Sequence, residues 1–227
     1  MAFKRVRNPS EPLQGEALTS AMAGVGMNFA ARARPNANLE DTLLAASMAG
    51  MDQDDLRVLS VLVTWLGIHS SWINVDRLTY LVAGHPSVRV RLFWSAVAGW
   101  LAKDHRFARM AKAYQGSRRD LLTTGTAFHI RRSGEDPRFA DGPLRIPAGI
   151  LRDRPSDVLT PVEFARRHRG YRRRIQLGPS YRADMWAELE ADPTLSAAEL
   201  ARRTYGSFAT AWHVRHDWEI LAEAGIK

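Results

Sequence analysis

From Leu56 onward the chain carries a helical segment with almost no side to turn to water. Leu56, Leu59, Val63 and Leu66 fall on one face, and Val58, Leu62 and Trp65 widen it nearly to the full circumference. Such a helix must sit at the centre of a core. The apolar run from Val58 to Ile68, interrupted by Ser60 and Thr64, is far shorter than the roughly 20 residues that span a bilayer. The rest of the chain therefore has to wrap this segment, and 227 residues suffice for one large core or two small ones.

Cap signals divide what surrounds it. Residues 1–37, punctuated by Pro9, Pro12, Gly15, Gly24, Gly26 and Pro35, read as a flexible N-terminal arm with a short helix over 16–23. Asn38 caps a helix ending near Gly50, and Asp52 caps the apolar helix. Asn74 caps a short helix that stops at Gly84. Pro86 starts a longer one with Val90, Phe93, Trp94, Val97 and Leu101 inward. Residues 128–132 and 144–147 flank a turn-rich stretch containing Gly134, Asp136-Pro137 and Asp141-Gly142, which predicts a β-hairpin. Three helices followed by a hairpin have the layout of a winged helix, assigned to residues 38–155. Thr160 and Pro161 open a basic linker helix within 156–179, closed by Gly178-Pro179. Residues 180–227 hold three further helices. The fold class expected is mainly α: a winged-helix-like domain with a small β-hairpin, plus a C-terminal three-helix unit.

Charge is concentrated in the middle. Residues 103–182 carry nineteen basic and eight acidic groups, while residues 183–227 carry four basic and eight acidic, against a net charge of +8 for the whole chain. A stretch of this kind can follow the backbone of a polyanion, and nucleic acid is the default partner. Its densest part is Arg166, Arg167, Arg169, Arg172, Arg173 and Arg174, six guanidinium groups in nine residues, whose planar forks suit phosphate. Arg131, Arg132, Arg138 and Arg145 form another basic group on the expected wing.

The most specific motif lies near the C-terminus: Leu195-Ser196-Ala197-Ala198-Glu199-Leu200-Ala201-Arg202-Arg203-Thr204-Tyr205-Gly206-Ser207-Phe208-Ala209-Thr210-Ala211-Trp212-His213-Val214. Ser196 with Glu199 reads as a capping box. Ala201 is small where two helices must approach, Gly206 permits a tight turn, and Ser207 caps the next helix. This stretch resembles the helix-turn-helix family of bacterial transcription regulators, with Tyr205 standing at the usual turn glycine and Gly206 one place later. The resemblance implies that the second helix enters the major groove, with Ser207, Phe208, Thr210, His213 and Arg215 as contacts to double-stranded DNA. Asp184, Glu188, Glu190 and Asp192 on the preceding helix should then point away from the groove.

The layout as a whole resembles the antitoxins of abortive-infection toxin–antitoxin systems. That implies repression of the chain's own operon and a nucleotidyltransferase-like cognate toxin as partner. The alternative reading is a protein-interaction component whose C-terminal module docks a partner.

Enzyme chemistry finds little support. There is no cysteine, which removes thiol catalysis and thiolate zinc sites and fits a reducing cytoplasm. The seven histidines form no HExxH. Gly116-Ser117 is followed by Arg118-Arg119-Asp120 rather than by the paired carboxylates a nucleotidyltransferase needs for magnesium. No catalytic residue, metal site, cofactor or membrane segment is expected. Oligomeric state is left open, since no coiled-coil repeat is present to pair two copies on a palindrome.

Overall fold

A computed structural model describes residues 13–226. Residues 1–12 of the expected arm lie outside the described residues. The helices are α1 Gly15–Gly24, α2 Leu39–Asp52, α3 Leu56–His69, α4 Val75–Ala83, α5 Val88–Trp100, α6 Thr126–Ser133, α7 Pro161–Arg167, α8 Arg169–Leu177, α9 Tyr181–Ala191, α10 Ala197–Thr204 and α11 Phe208–Glu223. A 3-10 segment spans His105–Ala113. Two short strands, β1 Arg119–Asp120 and β2 Leu144–Arg145, pair in parallel.

Most helix starts follow the cap signals. The side chains of Asn38, Asn74, Ser87, Thr160, Ser180, Ser196 and Ser207 each accept the backbone N–H three residues on, satisfying a donor that the first helical turn leaves unpaired. The helix α2 runs on to Asp52, and Asp55 caps α3 instead, accepting from Arg57 and Val58. Thr160 and Glu163 complete a reciprocal capping box. At α10 only half a box forms, because the Glu199 carboxylate turns to Arg202 and Arg203.

As its composition demands, α3 is buried, with Leu59, Leu62, Val63, Trp65 and Leu66 fully enclosed. Its principal partner is α2, which also packs against α1, α4 and α5. This arrangement differs from the α3–α4–α5 triad expected for a winged helix.

Three further expectations are corrected. The described part of the arm is core: Leu18, Ala21, Met22, Val25 and Met27 are buried, and Trp65 Nε1 donates to the Val25 carbonyl at 2.8 Å. Their helical spacing outweighs the surrounding glycines and prolines. The β-hairpin does not form with its expected strands: only an isolated antiparallel bridge, Glu135 to Pro147, closes the turn-rich stretch. Residues 126–133 are helical, begun after Gly125 in the left-handed region (φ 77°) and ended at Gly134, and β2 pairs with β1. Leu144 and Ile146 are pulled into the core beside Leu121, which sets the parallel pairing.

The basic linker is neither one helix nor a linker. It breaks at His168 into α7 and α8, and Phe164 and Tyr171 stack in the main core, ring centroids 4.2 Å apart. One core thus runs from Leu18 to Tyr171. A second, smaller one joins Met185, Leu189, Leu195, Leu200, Ala211 and Val214 of the C-terminal helices.

Truncating a large aromatic in such a core removes transfer free energy and leaves a cavity. Phe164→Ala should cost about 3–5 kcal/mol, whereas Val162→Ala, at a position 62% exposed, should stay within about 0.5 kcal/mol. Urea melts of the two variants check this; equal, small effects would restore the picture of a free linker.

Candidate nucleic-acid interface

The arginine-rich segment divides according to which way each helix faces. Arg166 and Arg167 lie exposed on α7. The break at His168 turns α8 onto α2 and α9, and there the guanidinium groups meet carboxylates. Arg174, only 2% exposed, donates from Nη1 and Nη2 to Glu40 at 2.6 and 3.0 Å and from Nε and Nη2 to Asp184 at 2.7 and 2.9 Å. Arg172 and Arg173 both hold Glu190, at 2.6 and 2.9 Å. Arg169 is half-buried, its backbone N–H on Asn36 Oδ1 at 3.0 Å. The expectation that Arg174 holds phosphate is therefore wrong, and Arg172 and Arg173 share the one carboxylate of Glu190, which offsets one of their two charges. A charge count along the chain does not register pairing with residues as distant as Glu40.

Arg77 joins the same buried cluster. It is fully enclosed, paired with Asp41 and bonded to Asn38 Oδ1 at 3.1 Å, with Glu40 at 3.9 Å. Burial works against ionisation of Glu40, but the adjacent Arg174 and Arg77 charges outweigh it and hold the carboxyl below its usual range. Tyr205 closes the cluster from the C-terminal side. Its hydroxyl donates to Asp41 Oδ2 at 2.9 Å, and its ring lies 4.0 Å from the Arg77 guanidinium.

Beside it, Tyr205 occupies the left-handed region (φ 59°) between α10 and α11, the conformation that the usual turn glycine would adopt. Gly206 is buried, and a Cβ there would run into the Met185 methyl. Ala211 and Val214 point inward with Met185, Leu189 and Leu200. Outward lie Phe208 (39% exposed), Ala209, Trp212 (52% exposed), His213 and His216. Among the sequence-derived contacts, Phe208 and His213 are thus presented to solvent. Ser207 and Thr210 are half-buried and bonded to each other at 2.7 Å between hydroxyls. Arg215 is also engaged: it donates to the Leu195 carbonyl and to Glu219 Oε1, the latter at 2.7 Å.

Comparison with protein families, curated proteins and solved structures returned no match.

The three acids of α9 and its C-cap, Asp192, find their partners outside α11. Asp184 and Glu190 are taken by α8, Glu188 lies 3.6 Å from Arg203, and Asp192 accepts from Thr194. Along α11 itself charge is segregated: residues 208–216 contain no carboxylate, and Asp217, Glu219 and Glu223 follow. Two features escaped the sequence reading. Trp212 gives the outward face its largest surface, stacked on His216 and edge-on to His213. Arg34, exposed, lies close enough to Tyr205 for its charge to act on the phenol. The helical period could have revealed Trp212, because it falls opposite Ala211 and Val214.

Elsewhere, Arg131 and Arg132 are exposed on α6 beside Phe128 and His129, not on a wing. Arg145, at the end of β2, pairs with Asp120 at 3.2 Å. Among the described residues no cluster of His, Asp or Glu could hold a metal ion, and no helix is long and apolar enough to cross a membrane.

Removing one partner from a buried ion cluster strands the other charges. Arg174→Ala should therefore cost about 3–5 kcal/mol, while Arg166→Ala should be nearly silent in a thermal melt. A mild Arg174→Ala would mean that this cluster does not hold the two cores together.

Two buried imidazoles add a pH dependence. His69 Nε2 donates to the Leu159 carbonyl at 3.0 Å, which leaves Nδ1 to accept from the Tyr171 hydroxyl at 2.8 Å. His168 Nε2 donates to the Ala37 carbonyl at 2.9 Å, and its Nδ1 accepts the Tyr171 N–H at 3.0 Å. Neither ring has room for a second proton, and burial pushes each down to about 4. The unfolded chain takes up protons from about pH 6.5 downward and the folded chain does not, so stability falls as pH drops from 6.5 toward 4. Each imidazole contributes a slope of up to about 1.4 kcal/mol per pH unit. Urea midpoints measured from pH 7 to pH 5 should decline accordingly; a level profile contradicts neutral burial.

Proposed function

We propose that the chain binds double-stranded DNA as a transcription regulator, with α10, the Tyr205–Ser207 turn and α11 acting as a helix-turn-helix. The observation that carries this reading is the first half of α11: an outward face free of carboxylates, begun at a capped N-terminus whose dipole favours phosphate, and fixed by a left-handed turn residue. Exposed Arg34, near the turn, is the natural phosphate contact there, and Arg166, Arg167, Arg131 and Arg132 supply further exposed guanidinium groups. On this reading α9 spends its acids on α8 and α10, so they do not repel the duplex.

The more specific form of this reading, an autorepressing cytoplasmic antitoxin partnered by a nucleotidyltransferase-like toxin, keeps only the C-terminal helical unit for support, because the winged helix and linker of the expected layout do not form. A second reading, docking of a partner protein on the C-terminal helices, is favoured by one observation: Ile220 and Ile226 continue the exposed apolar surface past the end of the carboxylate-free half.

Each neutralised phosphate adds a slope of about 0.9 to the dependence of log affinity on log salt. The full chain should bind duplex DNA at low salt and release it steeply as salt rises. Arg34→Ala should lower the slope by about 0.9 without changing the melting temperature. Fluorescence anisotropy with a mixed-sequence duplex measures both. Absence of binding at about 50 mM salt, within the range over which phosphate contacts are felt, would discard the DNA reading in favour of protein docking.

A further inference from the structure

Resting on that reading, we infer that α11 recognises the 5-methyl groups of thymine rather than the hydrogen-bonding edge of guanine. In the major groove guanine presents two acceptors, met best by the fork of arginine or by lysine. Adenine is met by the amides of asparagine or glutamine, and thymine adds a methyl group met by apolar side chains. The helix α11 contains no lysine, asparagine or glutamine. Its one arginine, Arg215, is held by the Leu195 carbonyl and Glu219. The hydroxyls of Ser207 and Thr210 bond to each other, and Ser207 Oγ also caps the helix by accepting the Thr210 N–H at 3.1 Å.

The outward face presents Phe208, Ala209 and Trp212, with two imidazoles. His216 stacks on the Trp212 ring, centroids 5.7 Å apart and planes inclined by 16°, and His213 meets it edge-on at 5.1 Å. The indole is thereby flanked on two sides and offers an exposed apolar surface. A neutral imidazole has one donor and one acceptor and cannot form the two-donor fork that selects guanine. The lack of carboxylates in this half of the helix keeps the approach of the duplex favourable, whereas the second half, with Asp217, Glu219 and Glu223, repels it. The face therefore enters with its aromatic part leading.

The test uses the full chain. Duplexes enriched from a random pool by binding are resynthesised with deoxyuridine in place of thymidine, which removes the methyl and leaves every hydrogen-bonding group in place. The expected result is a thymine-rich consensus and a loss of affinity of roughly fourfold for each contacted methyl removed. Trp212→Ala should bind thymine and uracil duplexes alike while melting at the unmodified temperature. Equal affinity of the unmodified chain for the two duplexes, or a consensus of guanine contacts, overturns this inference and leaves DNA binding intact. Failure to bind any duplex at low salt overturns both.

Discussion

Six charged and polar groups from distant parts of the chain share one buried cluster, and the two cores are joined through it. Glu40 and Asp41 come from α2, Arg77 from α4, Arg174 from α8, Asp184 from α9, and Tyr205 from the turn before α11. None of these charges could be buried alone, because desolvating a single ion costs several kcal/mol that only close partners offset. The cluster is therefore cooperative: each guanidinium meets at least two oxygens, and each carboxylate at least one donor. The same requirement places α8 against α2 and α9, and it explains why an arginine-dense helix is not wholly a surface feature.

The local elements were largely legible from residue types. Asn38, Asn74, Thr160, Ser180, Ser196 and Ser207 mark helix starts because their side chains satisfy a backbone donor close in sequence, a relation that needs no knowledge of the fold. The centrality of α3 followed from its lack of a polar face. The outward placement of Phe208 and His213 followed from helical period once the turn was located. What was illegible involved partners far apart along the chain. Arg174 reads as a surface cation until Glu40 is brought to it, 134 residues away. His168 reads as one more basic residue in a cluster, yet it ends one helix and caps the next. The 126–147 stretch carries the turn residues of a hairpin, but Leu121, Leu144 and Ile146 gain more by entering the core side by side than by forming a wing. The helix α1 was read at 16–23, but it and Arg34 were assigned to a flexible arm by the glycines and prolines around them, although Leu18, Ala21, Met22 and Val25 already show a helical face.

Charge in this molecule is thus divided between two uses. Arg77, Arg138, Arg172, Arg173 and Arg174 bind the chain to itself, whereas Arg34, Arg131, Arg132, Arg166 and Arg167 stay on the surface. Net charge alone cannot separate the uses. The case for a polyanionic partner rests on the exposed set together with the form of α11.

The position of Tyr205 has a mechanical consequence. Its backbone makes the bend between α10 and α11, and its side chain is gripped by α2 and α4, so the bend and the grip belong to a single residue. Tilting α11 against the large core would drag that phenol from Asp41 and uncover Arg77 and Glu40. The direction in which α11 points is therefore tied to the large core by side chains that α11 itself never supplies.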